Sequence, residues 1–188
     1  MRAGWSANGP AGETGIGQRG AERRGRTAVF VDRDNTIIED GPYSSSGADV
    51  RLMKGAAEGI RKLNAAGIPV IVLTNQSGIG RGYFTVEQMR EVNLEMERQL
   101  AAHSAHIEAL FFCPHRPEDG CGCRKPATGL VEEARSALGT EHEFVIGDRD
   151  DIDGELARRA GLKYAIVGER TLLEAVEAYL RGIGREDG

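Results

Sequence analysis

Val29-Phe30-Val31 runs directly into Asp32-Arg33-Asp34-Asn35-Thr36. A short apolar run of this kind reads as a strand buried on both faces. The two carboxylates, two residues apart at its C-terminal end, then stand at the mouth of the strand, where open α/β sheets do their chemistry. Four further polar clusters come later in the chain, in order: Thr74-Asn75-Gln76-Ser77, the cysteine stretch 113–123, Arg124-Lys125-Pro126 and Gly147-Asp148.

Outward from this stretch, strand-like and helix-like segments alternate. Residues 55–66 carry Ala56, Ile60 and Leu63 at helical spacing and stop at Gly67. Residues 69–73 are apolar, β-branched and short, which favours a strand. Thr85-Val86-Glu87-Gln88 reads as a capping box that opens a helix through about residue 102. A strand over 107–112 comes next, then a helix over 129–138 with Thr128 as its cap and Gly139 as its stop. Residues 144–146 and 164–167 read as strands on either side of a helix that Asp153 caps and Gly161 closes, and 171–181 as a last helix. The expected fold is α/β, a Rossmann-like, doubly wound parallel sheet with helices on both faces. Every polar cluster falls just after a strand, so all of them meet at one edge of the sheet. Residues 39–49 are too few for a separate cap domain, which leaves an open pocket bordered by residues 43–46, 76–81 and the cysteine loop.

A chain of 188 residues suggests one domain with a sizeable core. Residues 1–26 hold seven glycines, five arginines and two acids, a net charge of +3 that leaves −8 on residues 27–188. Such a stretch buries too little apolar surface to offset its ordering entropy, so it reads as a disordered tail before a domain over 27–188. The acidic body disfavours a nucleic-acid partner. No segment is apolar for long enough to cross a bilayer and no secretory apolar region opens the chain, so a cytoplasmic protein, not bound to a membrane and monomeric, is expected.

The chemistry is set by residue type. One of Asp32 and Asp34 can attack phosphorus while the other protonates a leaving oxygen and then activates water. Asn35 tolerates the left-handed backbone of a tight turn, and Thr36 could cap the segment after it. The hydroxyl and amides of Thr74, Asn75, Gln76 and Ser77 can hold phosphoryl or substrate oxygens. Lys125 supplies positive charge, Arg124 a fork for a substrate oxygen, and Pro126 stiffens the turn. Asp148 adds a third carboxylate for a hard cation such as Mg²⁺. Cys113, His115, Cys121 and Cys123 offer three thiolates and an imidazole within eleven residues, a closed tetrahedral set for structural Zn²⁺ rather than a disulfide framework. That zinc loop would hold Arg124 and Lys125 against the pocket. His103, His106 and His142 lack partners at ligand spacing.

Asp32-x-Asp34-x-Thr36 after an apolar strand resembles motif one of the haloacid dehalogenase superfamily, with Asn35 where Gly is usual. Thr74 resembles motif two, Lys125 motif three and Asp148 motif four. The resemblance implies Asp32 as nucleophile, Asp34 as acid and base, Thr74 and Lys125 on the phosphoryl oxygens, and Mg²⁺ held by Asp32, Asp148 and the Asp34 backbone carbonyl. The second acid of motif four usually comes four residues after the first, where Ile152 stands here. This implies a one-residue insertion within 149–152, and the choice between Asp151 and Asp153 stays open. A zinc loop directly before Arg124-Lys125-Pro126 narrows the resemblance to the group with the D-glycero-D-manno-heptose 1,7-bisphosphate 7-phosphatases and the histidinol-phosphate phosphatases. The run Arg81-Gly82-Tyr83-Phe84-Thr85 is similar to the former, with Arg81 placed to meet a second phosphate. A phosphoric monoester hydrolase acting on a heptose bisphosphate is therefore expected. Histidinol phosphate is the alternative substrate, and a zinc-stabilised nucleic-acid-binding module the alternative of another class.

Overall fold

The structure is a computed structural model that describes residues 4–5, 26–39 and 47–186. Six strands form one sheet: β1 (Gly4–Trp5), β2 (Arg26–Val31), β3 (Val70–Asn75), β4 (Ala109–Cys113), β5 (Thr140–Gly147) and β6 (Lys163–Ile166). Their spatial order is β1-β4-β3-β2-β5-β6. The five strands from β2 onward are parallel, and β1 pairs antiparallel with β4 at the edge. Of residues 1–26, expected to be a disordered tail, Gly4–Trp5 and Arg26 lie in strands; the others fall outside the described residues, as does the pocket border over 43–46.

Helices connect the strands: α1 (Ala56–Ala65), α2 (Ser77–Gly80), α3 (Val86–Ala102), α4 (Gly129–Leu138), α5 (Glu155–Ala160) and α6 (Leu172–Glu186). Alternation along the strands sorts the core into two layers. Val29 and Val31 of β2 join Val70, Val72 and Leu110 under α1, α3 and α6, while Ala28 and Phe30 join Ile71, Leu73 and Phe111 under α4 and α5. The doubly wound expectation holds for this reason: β2 and β3 are buried on both faces and therefore show no polar alternation. Between β2 and α1 the described residues contain a single 3₁₀ turn, Gly47–Asp49, and no cap domain.

Local signals explain most boundaries. Helix α3 begins at the expected capping box, where Gln88 N–H donates to Thr85 Oγ1 at 3.2 Å and Thr85 N–H to Gln88 Oε1 at 2.8 Å. Helices α4 and α5 end at Gly139 and Gly161, both left-handed with φ of 66° and 71°. Thr128 does not cap α4; its hydroxyl donates to Glu132 Oε1 at 2.7 Å instead. Nor does Thr36 cap, since its Oγ1 is buried with no hydrogen-bond partner. Asp153 does not cap α5 either. It lies inside a single π-helical turn, Asp150–Gly154, that leads into the helix, with Gly154 N–H donating to Arg149 O, five residues back, at 3.3 Å. A π turn accommodates one residue more than an α turn. The extra residue inferred within 149–152 is taken up here. No helix among the described residues is long and apolar enough to cross a membrane.

Candidate active site

Strand β2 delivers Asp32 to the sheet edge. Its N–H donates to Ile146 O of β5 at 2.9 Å, so the backbone stays zipped to the sheet through the first carboxylate. The chain then turns at Asn35, whose φ is 56°, the left-handed conformation that Asn tolerates. Strand β5 ends at Gly147 and delivers Asp148; the π turn after it rotates Asp153 back into the same space. Only glycine fits at 147, because a Cβ there would lie 2.3 Å from the Asp153 carboxyl.

Lys125 ties these together. Its Nζ donates to Asp32 Oδ1 at 2.5 Å and to Asp153 Oδ1 at 2.7 Å, and the side chains of Lys125, Asp32 and Asp153 are 2%, 10% and 3% exposed. Oxygens of Asp32, Asp148 and Asp153 lie within 4.8 Å of one another. Burial pushes the Asp32 carboxyl up to about 7 despite Lys125, and Asp153 and Asp34 push the same way. Burial, then Asp153, raises Asp148 as well. Burial works to lower Lys125, but Asp32 and Asp153 outweigh it and hold the ammonium above its ordinary value. Crowded, partly neutralised carboxylates of this kind are a donor set for a hard divalent cation, so the residues fit Mg²⁺. Asp151 is exposed and paired with Arg149 at 2.5 Å, away from the cluster. Of the two acids left open by sequence, Asp153 is therefore the one that joins the site.

The residues after β3 divide their tasks. Thr74 is fully buried, and its Oγ1 lies 3.4 Å from Asp34 Oδ2. Gln76 Nε2 donates to Asp34 Oδ2 and to Thr74 Oγ1, both at 2.9 Å. Asn75 clamps Lys125: its Nδ2 donates to Lys125 O and its Oδ1 accepts from Lys125 N–H, both at 3.0 Å. Gln76 and Asn75, expected on substrate, are thus engaged in holding the acid and the lysine. Ser77 opens α2.

The cysteine loop also has the geometry expected of a tetrahedral metal site. Sγ–Sγ distances among Cys113, Cys121 and Cys123 are 3.3–3.5 Å, and His115 Nδ1 is 3.3 Å from Cys123 Sγ and 3.6 Å from Cys113 Sγ. These are close to the ~3.7 Å edge of a tetrahedron with metal–sulfur bonds of about 2.3 Å, and far from the ~2.05 Å of a disulfide. The four donors therefore fit Zn²⁺. The loop braces the pocket through its backbone. Gln76 N–H donates to Cys113 O at 2.7 Å and Gly80 N–H to Pro114 O at 3.0 Å, while a Cβ on Gly80 would approach Pro114 O to 2.7 Å. Arg81 reaches Glu118 at 3.5 Å, and Arg124 Nη1 donates to His115 O at 3.3 Å, so both arginines lean on the cysteine loop. Stripping zinc, or Cys123→Ser, is accordingly expected to lower Tm by about 5–10 °C, the shift that about 2–3 kcal/mol produces in a domain of this size. KM should rise more than kcat falls, because α2 loses its brace and the aspartates do not. Metal content, a melting curve and a KM–kcat split check this; a zinc-free protein with the parent Tm would contradict it.

Asp153, one of the two acids that the sequence leaves open, is reached through the extra residue, since an acid one place late signals a π turn as well as a cap. Two further residues lie outside the sequence reading. Arg33, 4% exposed, lies between the two motif aspartates and was assigned no task. Asn93 is a polar residue 1% exposed on the apolar face of α3, a position that helical periodicity marks as buried.

The HAD-hydrolase-like family model matches residues 122–175. A Thermoplasma acidophilum protein named probable D-glycero-D-manno-heptose-1,7-bisphosphate 7-phosphatase is 45% identical over 141 residues, 74% of this chain and 88% of its own. The Escherichia coli K12 D-glycero-beta-D-manno-heptose-1,7-bisphosphate 7-phosphatase is 32% identical over 149 residues, 74% of this chain and 78% of its own. The crystal structure of the B. bronchiseptica D,D-heptose 1,7-bisphosphate phosphatase, complexed with magnesium and phosphate, matches at a TM-score of 0.74 and 26% identity, covering 84% of this chain and 99% of that one. The chain belongs to the haloacid dehalogenase-like hydrolases, in the family of the heptose 1,7-bisphosphate phosphatases.

Proposed function

We propose that the chain hydrolyses a phosphate monoester of a small phosphorylated sugar through an aspartyl-phosphate on Asp32, and that D-glycero-D-manno-heptose 1,7-bisphosphate, cleaved at its 7-phosphate, is the substrate. The observation that carries the reading is the gathering of Asp32, Asp148 and Asp153 in one cluster, with Lys125 bonded to Asp32 and Asp153, from segments far apart in sequence. Asp32, Asp148, Asp153 and the Asp34 backbone carbonyl would hold Mg²⁺, which supplies charge neutralisation among the carboxylates and the phosphate.

Every other step belongs to the chain. An Asp32 oxygen attacks phosphorus, the ester P–O bond breaks, and the proton on the Asp34 carboxyl passes to the leaving alkoxide. Water then attacks the phosphoryl group, gives its proton to Asp34, and displaces Asp32 with release of inorganic phosphate. Lys125 and Thr74 stabilise the phosphoryl oxygens, where most of the charge of the transition state resides. Arg81 and Arg124, against the cysteine loop, meet the second phosphate. The names of the relatives favour the bisphosphate over histidinol phosphate. A reducing cytoplasm keeps the thiolates of the zinc loop available.

Phosphate release from both anomers of the heptose bisphosphate, from histidinol phosphate and from simple sugar phosphates tests the reading. The largest kcat/KM is expected on a heptose bisphosphate, with loss of activity in EDTA. A larger kcat/KM on histidinol phosphate would overturn the substrate, and release indifferent to EDTA the metal.

A further inference from the structure

Helix α3 turns Met89, Val92, Met96 and Leu100 into the core, and one amide among them, Asn93, is 1% exposed. Its Oδ1 accepts from Arg33 Nη1 at 2.9 Å, across 60 residues of sequence. Arg33, 4% exposed, in turn sends Nε and Nη2 to a single oxygen, Asp34 Oδ1, at 2.9 and 2.6 Å. Burying an amide and a guanidinium is costly unless their hydrogen bonds compensate, and an apolar pair of the same volume would join α3 to the loop more cheaply. The arrangement does something an apolar pair cannot: it distinguishes the two oxygens of the acid. Oδ1 is taken by the guanidinium. Oδ2 faces Thr74 Oγ1 at 3.4 Å and Gln76 Nε2 at 2.9 Å, the side chains that follow β3 at the site. Arginine side chains are long and flexible, and one adjacent in sequence to its target does not hold an orientation unaided. Asn93 supplies the fixed end.

We propose that Asn93 is a positioning residue for the reaction: through Arg33 it locks Asp34 in one rotamer, with Oδ2 kept as the oxygen that hands its proton to the leaving group. The proposal rests on the acid–base reading of Asp34 and adds a residue on α3 that touches neither substrate nor metal. Misplacing a catalytic group by about 1 Å costs on the order of a hundred-fold in rate.

Asn93→Leu removes the acceptor at similar volume and is tested in single turnovers with Mg²⁺ on two substrates. One is the best alkyl phosphate among the sugar and amino-alcohol phosphates already named, whose alkoxide needs a proton to leave. The other is p-nitrophenyl phosphate, whose phenolate does not. Transfer from the alkyl phosphate is expected to slow about ten- to a hundred-fold with KM little changed, while the first-turnover burst of p-nitrophenolate keeps its rate. Asn93→Asp, which still offers Arg33 an acceptor, should recover most of the lost rate. Should Asn93→Leu not fold, Arg33→Lys, which keeps the charge and loses the fork, reads out the same difference. Equal losses on both substrates, or an unchanged transfer rate with only a lower Tm, overturn the proposal. Asp34→Asn measured alongside separates two failures. If it discriminates between the substrates and Asn93→Leu does not, the relay alone falls; if it treats them alike, the acid reading falls and the relay with it.

Discussion

Asp32→Asn is expected to reduce phosphate release by at least about ten-thousand-fold while leaving the fold in place. An amide has no lone pair suited to attacking phosphorus, and no neighbour replaces it. Asp153 is held by Lys125, and Asp34 is fixed by Arg33 and Gln76. The backbone at 32 is anchored by its bond to Ile146, and the side chain is not part of the apolar core. The variant should even gain in metal-free protein. Burial raises Asp32 from 3.8 to about 7 in the folded state, so the folded protein binds this proton more tightly than the unfolded chain. A raised carboxyl costs stability as pH climbs from about 4 to about 7, and the cost is complete above that window. Melting curves in EDTA should therefore show Asp32→Asn gaining on the parent as pH rises from about 4 to about 7. Phosphate release above about a hundredth of the parent rate would remove Asp32 from the role of nucleophile.

Lys125→Met is the second large effect, and it acts on stability and rate together. The ammonium stands between two carboxylates that are almost out of contact with solvent. Taking away one partner of a buried ion pair leaves charge that nothing offsets, at about 3–5 kcal/mol. Denaturant unfolding in EDTA should show a loss of this size, and Mg²⁺ should restore part of it, because the same carboxylates are the proposed metal ligands. Turnover should fall about a thousand-fold even in saturating Mg²⁺, since a preorganised charge on the phosphoryl oxygens is lost. A variant as stable as the parent in EDTA, or one that keeps a tenth of its activity, would contradict the placement of Lys125.

How much of this was legible in sequence depends on whether a signal is local. The strands β2, β3 and β4 carry continuous apolar runs and were readable, as was α3 from its capping box. Strand β5 was read too short. Its first half is polar, and Glu143 is buried there because Arg135 of α4 and the Thr140 hydroxyl meet its carboxylate at 2.9 and 2.7 Å, contacts that an apolar-run pattern does not show. Helix α2, four residues with two glycines, carries no periodicity at all. The π turn was legible as a displaced acid, not as a shape.

The same distinction runs through the site. Which residues gather was legible, because clusters after parallel strands must share an edge. What each side chain does there was not. Asn75 and Gln76 are as able to bind substrate as to hold Lys125 and Asp34, and only the hydrogen bonds of the folded state decide. Arg33 and Asn93 were hidden for a related reason: a buried polar pair has its meaning in its partner, 60 residues away.

The most direct measurement is to quench a single turnover in acid, reduce the acyl phosphate with borohydride and sequence the peptides by mass spectrometry. Homoserine at position 32, formed only with substrate and Mg²⁺, is the expected result. Modification at Asp34, Asp148 or Asp153, or phosphate released at full rate with no aspartate modified, would contradict the account.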